Sequence, residues 1–231
     1  MPSKRYKKAA ELVVADKQYS LSEGVQILTK FPKAKFVESI DLAFKLGVDP
    51  KQSDQMVRGT VPLPHGSGKT VRVLVFAKPG AAAEAAKAAG AEFVGFEDMI
   101  RKCNEGWSDF DVAIATPEAM TEVRKLGKVL GPRGLMPNPK TGTVTEDTAR
   151  AVREVKAGRV EYKIDKAANV HVSVGKASFT PQQIIENARA VIEAVQKARP
   201  ASAKGVFVRS ITLSLTMSPG IPLDIREFIN A

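Results

Sequence analysis

Val71-Arg72-Val73-Leu74-Val75-Phe76-Ala77 is a nearly continuous apolar run, interrupted only by one arginine. Such a run is typical of a parallel β-strand that helices cover on both faces. Residues 80–90 follow it and consist almost entirely of alanine between two glycines, which predicts a helix. A buried strand followed closely by a helix indicates a parallel α/β unit.

Strand and helix continue to alternate on the C-terminal side of this run. Pro117 is expected at the first position of a helix, where its missing N–H has no partner to lose. The pattern predicts an inserted, Rossmann-like parallel α/β domain over residues 67–158. Its further strands and helices are predicted, in chain order, at residues 93–95, 98–104, 111–115, 117–130 and 147–156.

The two ends of the chain share a different style, with alternating strands and amphipathic helices. We therefore predict a split α+β domain, an antiparallel sheet with helices, over residues 1–66 plus 159–231. Residues 159–164 and 170–174 are expected to pair with each other as an antiparallel hairpin. The remaining predicted elements are helices 4–17, 20–30 and 182–198 and strands 37–46, 56–63 and 206–217.

The formal net charge of the chain is +10, and it is concentrated in the split domain. That domain holds 21 basic and 13 acidic residues, against 14 and 12 in the insert. A basic domain gains affinity for nucleic acid by displacing phosphate counterions, so the sequence favours a polyanionic partner. The alternative is charge that serves solubility alone.

The polar residues that enzymes and metal sites need are scarce. Cys103 is the single cysteine and fits an inert thiol in a reducing cytoplasm. The two histidines, His65 and His171, have no spacing to a metal ligand, so we expect no metal and no cofactor. The N-terminus carries no apolar segment of a secretory signal, and no apolar run is long enough for a membrane span.

His65-Gly66-Ser67-Gly68-Lys69-Thr70 superficially resembles a phosphate-binding loop, but Leu63 occupies the position where that motif needs its first glycine. No catalytic constellation stands out, so we predict a protein that is not an enzyme. A nucleotide-dependent enzyme on the insert is the main rival, although Lys78-Pro79-Gly80-Ala81 lacks the necessary glycines. A general nucleic-acid-coating protein would need more than 6% aromatic residues.

Residues 131–142 hold three prolines, three glycines and the cations Arg133 and Lys140, with almost no core-building pattern. A long irregular loop of this kind is either functional or a rigid surface connection. Its glycines allow close approach of the backbone to phosphate and the two cations supply charge, so we predict phosphate contacts there. Residues 66–68 and Gly158 are expected to form a hinge between the domains.

Small hydroxyl residues share one face of the last predicted strand, and His171 shares a face with Ser173. Such hydroxyls can bond the 2′-hydroxyls and phosphates of RNA, or they can form an ordinary solvent face. The N-terminal cations have the same two interpretations, phosphate contact or a solvated helix end. The hydroxyl residues are Ser210, Thr212, Ser214, Thr216 and Ser218, and the cations are Lys4, Arg5, Lys7 and Lys8.

Several unusual strings occur in the order typical of one family. They are Ser53 to Thr60 with Leu63 to Gly66, Gly131 to Val144, Val174 to Phe179, and Thr216-Met217. Through these strings the chain resembles the bacterial large-subunit ribosomal protein L1 family over nearly its whole length. In that family glycine usually follows the Thr-Met pair, but here Ser218 stands in that place, so a mild change in RNA affinity is expected.

The resemblance implies a structural protein of the large ribosomal subunit. It implies binding to ribosomal RNA at the mobile stalk beside the tRNA exit site, help in release of deacylated tRNA, and repression of its own operon mRNA. It also implies a cytoplasmic, ribosome-bound protein that is a monomer when free. The implied RNA-binding residues are Lys35, Phe36, Glu38, Lys163, Lys166, His171, Ser173, Lys176, Ser214, Thr216, Met217, Ser218 and Gly220.

Overall fold

The computed structural model describes residues 3–14 and 16–229. It divides into two compact units, the first formed by residues up to Gly68 with those from Val160 onward, and the second by Lys69–Arg159. The first unit contains an antiparallel sheet with helices and the second a parallel sheet with helices, so the predicted fold class is confirmed. The predicted domain boundaries at 66/67 and 158/159 stay a prediction.

The bounds of the described elements are as follows. The strands are β1 (Ser39–Leu46), β2 (Arg58–Pro62), β3 (Val73–Phe76), β4 (Phe93–Gly95), β5 (Val112–Ala115), β6 (Arg159–Lys163), β7 (Asn169–Lys176), β8 (Val208–Leu215) and β9 (Ile221–Leu223). The helices are α1 (Lys4–Ala10), α2 (Leu21–Lys30), α3 (Ala81–Ala88), α4 (Glu97–Asn104), α5 (Met120–Val123), α6 (Gly127–Leu130), α7 (Thr148–Lys156), α8 (Pro181–Lys197) and α9 (Arg226–Ile229).

The first unit is built on a four-stranded antiparallel sheet in the order β7-β1-β8-β9. Successive side chains of a strand point to opposite faces, and β1 accordingly alternates between half-buried and buried residues. Ile40, Leu42, Phe44 and Leu46 face a core to which α2 and α8 contribute their own buried residues. The other face of the sheet carries the polar residues.

Capping fixes where the two main helices of this unit begin. Ser20 and Glu23 form a capping box at the start of α2, and Thr180 and Gln183 form another at the start of α8. Each box satisfies two backbone groups that the first helical turn would otherwise leave without partners. The two helices thus start at defined points above the sheet.

The second unit has a three-stranded parallel sheet in the order β4-β3-β5. All four residues of β3 are buried, as expected for the central strand of a sheet covered on both faces. The helix α7 packs beside α3 on one side, and α4 belongs to the core cluster of the other side. Among the helices within residues 3–14 and 16–229, none is long and apolar enough to cross a membrane.

Two predicted helices are shorter than expected. The helix predicted over residues 4–17 ends at Ala10, and Asp16 has a left-handed φ of 60° that an α-helix cannot contain. The helix predicted over 117–130 begins at Met120, so the expectation of Pro117 at its first position was wrong. It is divided into α5, a 3-10 turn at Arg124–Leu126, and α6. Side chains three apart eclipse each other in a 3-10 turn, and Val123 and Leu126 are accordingly both buried in one core.

The predicted hairpin of residues 159–164 and 170–174 was wrong apart from one bridge between Ile164 and Val170. The strand β6 pairs with β2, and β7 pairs with β1. Alternating apolar residues of β7 match those of β1 on the core face, so burial against a distant strand outweighed the local pairing.

Candidate RNA-binding surface

The polar face of the four-stranded sheet brings β7, β1 and β8 together in three short rows. Because the strands are in register, residues far apart in sequence become neighbours on this face. Asp41 is the one carboxylate in the rows, and Ser173 and Ser214 lie on either side of it. The rows are Ser173–Asp41–Ser214, His171–Ala43–Thr212 and Asn169–Lys45–Ser210.

At one end of this face, a hydrogen-bonded corner joins the three strands. Thr216 accepts a bond from the Ser39 N–H through Oγ1 at 3.0 Å, and its own N–H donates to the Ser39 carbonyl at 3.1 Å. The Lys176 ammonium donates to the Ser39 hydroxyl at 2.9 Å. The predicted contact residues Thr216 and Lys176 thus meet at Ser39, which the sequence did not single out.

Arg5 and Glu38 connect two chain segments next to this corner, and this pair of residues is called the bracket below. The Arg5 guanidinium donates to the carbonyls of Pro32 and Met217, at 3.3 and 3.0 Å, and lies 3.5 Å from the Glu38 carboxylate. Glu38 is 3% exposed and accepts the Met217 N–H at 3.0 Å. The bracket therefore ties the segment 32–38 to the turn after β8, and the RNA contact expected of Glu38 itself stays a prediction.

Two apolar side chains project from the segments that the bracket holds. Phe36 and Met217 are each 54% exposed. Lys35, next to Phe36, is exposed as well. Exposed apolar side chains beside a cation suit a partner that offers both bases or riboses and phosphates.

Lys163 and Lys166 lie at the opposite end of the face, around the turn from β6 to β7. The turn closes on Asp165, whose carboxylate accepts the N–H groups of Asn169 and Ala167 at 2.7 and 2.8 Å. These bonds, led by the one from Asn169, lower the pKa of Asp165 from its ordinary value. Both lysines are exposed, so the tight turn presents their charges to solvent.

The turn after β8 explains two further residues of the predicted site. The Ser218 hydroxyl accepts the Leu215 N–H at 2.9 Å and donates to the Pro219 carbonyl at 2.9 Å. A Cβ at Gly220 would lie 2.6 Å from the Thr212 methyl group, so this glycine allows the turn to pack against β8. The structure thus gives both residues a part in shaping the turn.

The loop 131–142 of the second unit is more ordered than its sequence indicated. Leu135 and Met136 pack against the core of that unit and Pro137 is buried, so the expectation of almost no core-building pattern was wrong. The spacing of these apolar residues follows neither a helix nor a strand, which hid their role. Arg133 and Lys140 remain exposed on the loop, where phosphate contacts stay a prediction.

The comparison with known protein families decides the identity of the chain. A model of the ribosomal protein L1p/L10e family matches residues 28–219. This chain belongs to the ribosomal protein L1p/L10e family. The resemblance seen in the sequence is confirmed, and membership makes the protein a structural ribosomal protein that binds large-subunit ribosomal RNA.

For a member of the L1p/L10e family, the polar sheet face is the natural candidate for RNA contact. It gathers most of the thirteen residues predicted for the first unit on one sheet and the segments that flank it. The exceptions are Lys163, the last residue of β6 in the two-stranded sheet, and Glu38, which is buried. Sequence reasoning missed Asp41, Ser39 and the bracketing role of Arg5, because each depends on strand register or on a contact across the chain. The alternating pattern of β1 was the one signal that could have placed Asp41 on this face.

Ser218 stands where the family usually has glycine, and this position provides a test of the turn after β8. We expect Ser218→Gly to lower the free energy of unfolding by about 1 kcal/mol, because the Leu215 N–H loses its acceptor and the backbone gains freedom. Binding of ribosomal RNA should change by less than about threefold. Urea unfolding and filter binding measure the two effects. A tenfold gain in RNA affinity would instead mean that a glycine is needed for close backbone approach.

Proposed function

We propose that this protein grips the structured stalk region of large-subunit ribosomal RNA with the polar sheet face of its first unit. One observation carries the proposal. Small polar side chains form rows in the middle of the face, and cations lie at its two ends. The rows match the 2′-hydroxyls and phosphates that RNA shape presents, and the cations neutralise backbone charge. The apolar side chains of Phe36 and Met217 contact bases or riboses at the bracketed end.

The binding test compares two RNAs across a salt series. One is a transcript of the stalk region of large-subunit ribosomal RNA, called the stalk fragment below, and the other is a plain duplex of equal length. Recognition of shape predicts tight binding to the stalk fragment alone, weakening as salt rises. Equal affinity for both RNAs would reduce the protein to a general polyanion binder.

The cations at the β6–β7 turn give this test a quantitative form. We expect the double variant Lys163→Gln with Lys166→Gln to reduce the slope of log affinity against log salt by about 1.4–1.8, since each phosphate contact contributes about 0.7–0.9. The matched control is Lys102→Gln with Lys128→Gln, which removes two cations of the second unit. An equal reduction in both double variants would show that the slope reports overall charge and not this turn.

Further parts of the proposal concern partners and setting. We also propose that the protein helps in the release of deacylated tRNA. It represses its own operon mRNA as well, which it binds through the same face. If so, the leader of that mRNA competes with the stalk fragment, and the Lys163 and Lys166 substitutions weaken both RNAs in parallel. The protein acts without catalysis, in the cytoplasm as part of the ribosome, and is a monomer when free.

A further inference from the structure

A groove of about 510 Å³ opens beside the bracketed end of the polar face. Its floor is formed by buried side chains of the first unit, Leu28, Phe31, Ile184 and Leu215. Its rim includes Phe36 and Val37, which are 54% and 58% exposed. The volume lies in the range of about 300–1,000 Å³ that is usual for pockets that hold a small molecule.

The charge around this groove is positive. Lys33 and Lys35 are exposed on its rim, and no carboxylate of the described residues pairs with either. The one carboxylate in the lining, Glu38, is buried and balanced by Arg5 and the Met217 N–H. A ligand in the groove therefore meets an apolar interior and a cationic entrance.

Polar groups at the edge offer a few hydrogen bonds. The Thr29 hydroxyl donates to the Gln26 carbonyl at 2.8 Å, and its oxygen can still accept a bond from a ligand. The Ser178 hydroxyl is exposed at the edge of the groove and bonds to no other described residue. An apolar cleft with a few hydroxyls at its edge suits a flat heteroaromatic ring better than an aliphatic chain.

We infer that the groove receives a single unpaired base of the bound RNA. The inference rests on the proposed function, because Lys35, Phe36 and Glu38 belong both to the groove and to the predicted RNA surface. RNA-binding proteins commonly read unstacked bases by stacking them on aromatic side chains while cations hold the adjoining phosphates. Phe36 provides the ring here, and Lys33 and Lys35 provide the cations.

The test fills the groove and removes the base in turn. Ser178→Phe places a ring in the groove, and Ala201→Phe adds the same ring at an exposed site elsewhere in the first unit. Loss of one stacked base predicts a fall in affinity for the stalk fragment of about tenfold for Ser178→Phe and little change for Ala201→Phe. A set of stalk fragments, each with one unpaired nucleotide made abasic, should contain one that binds the native protein about tenfold less tightly. That fragment should bind Ser178→Phe no worse than the intact fragment does.

A cross-link gives a measurement that does not depend on the bulky variant folding. Ser178→Cys introduces a small exposed thiol that leaves the groove open, whereas Cys103 is buried and burial raises its pKa, so position 178 reacts selectively with a disulfide. Stalk fragments that carry a short disulfide tether on one unpaired base at a time should cross-link to this thiol at one nucleotide, the same one found by abasic substitution.

The outcomes separate this inference from the proposed function. Failure of the native protein to bind the stalk fragment would overturn the proposed function itself. Tight native binding, with no sensitive abasic site and no localised cross-link, would overturn the base-binding groove alone. If Ser178→Phe binds the stalk fragment as tightly as the native protein does, the groove holds no base and the inference is wrong.

Discussion

Arg5→Met is expected to weaken binding of the stalk fragment by about 2 kcal/mol, which is roughly thirtyfold. Arg5 donates to the carbonyls of Pro32 and Met217 and faces the buried Glu38 carboxylate. Without it, the segment that carries Phe36 and the turn that carries Met217 lose their common anchor. Both segments would then have to become ordered when RNA binds. The conformational entropy lost in that ordering lowers the binding affinity.

Arg5→Lys distinguishes the bracket from a simple phosphate contact. A lysine keeps the charge but has no planar fork that reaches two carbonyls and a carboxylate together. We expect Arg5→Lys to recover only a small part of the lost affinity. Lys8→Met is the matched control on the same helix, and it should cost no more than one surface phosphate contact. Full recovery by Arg5→Lys would show that only the charge of Arg5 matters.

A double-mutant cycle with Glu38→Gln tests whether the two residues act together. If they form one bracket, the double variant Arg5→Met with Glu38→Gln should lose little more affinity than Arg5→Met alone. Additive losses would mean that Arg5 and Glu38 contribute to binding separately.

The sequence predicted those parts of the fold whose signal is local. The apolar run at 71–77 and the alternation of 37–46 became β3 and β1, and the helix predicted over 20–30 became α2. Each of these depends on side chains a few residues apart, so period and caps are sufficient to find them. The change of pattern along the chain predicted the inserted domain, and the family strings agreed with that architecture.

The errors occurred where distant contacts decide the structure. The strand β7 pairs with β1 because their apolar alternation matches, and nothing near residue 170 in the sequence records that partner. Strand register also decides which residues lie together in the candidate site. Ser173 and Ser214 were predicted as contacts, but Asp41, which the register places between them, was not.

The glycine-rich connection at residues 66–68 also makes contacts that the sequence did not indicate. Its role as a hinge stays a prediction, but the Gly66 carbonyl accepts a bond from the Asn187 side chain. A Cβ at Gly68 would lie 2.8 Å from the Lys176 side chain and 3.0 Å from the Phe179 ring. These glycines permit close packing, a role that composition cannot separate from flexibility.

Asn187→Leu is expected to lower the free energy of unfolding of the first unit by about 3 kcal/mol. Asn187 is fully buried, and its amide donates to the carbonyls of Gly66 and Val174 at 3.0 and 2.8 Å. Its side-chain oxygen accepts the backbone N–H of His65 at 3.0 Å. Leucine fills the same space but leaves three backbone groups without partners, each worth about 1–3 kcal/mol when buried.

Val174 explains why an asparagine is needed at this point of α8. The pairing of β1 with β7 shifts between Ile40 and Asp41, so Gly175 and Ser173 have partners on β1 while Val174 between them has none. A residue at such a bulge has lost its ladder bond, and a side chain must satisfy its carbonyl. Asn187 does so, and the same side chain fixes the chain at His65 and Gly66.

The aromatic residues allow this effect to be followed unit by unit. The three tyrosines, Tyr6, Tyr19 and Tyr162, all lie in the first unit, and Trp107 lies in the second. The urea transition seen by tyrosine absorbance should therefore move to lower urea in Asn187→Leu, while the transition seen by tryptophan fluorescence stays in place. Gln182→Leu, an exposed change on the same helix, should shift neither by more than about 0.5 kcal/mol. An unmoved tyrosine transition in Asn187→Leu would mean that water replaces the amide, and that the bulge does not depend on α8.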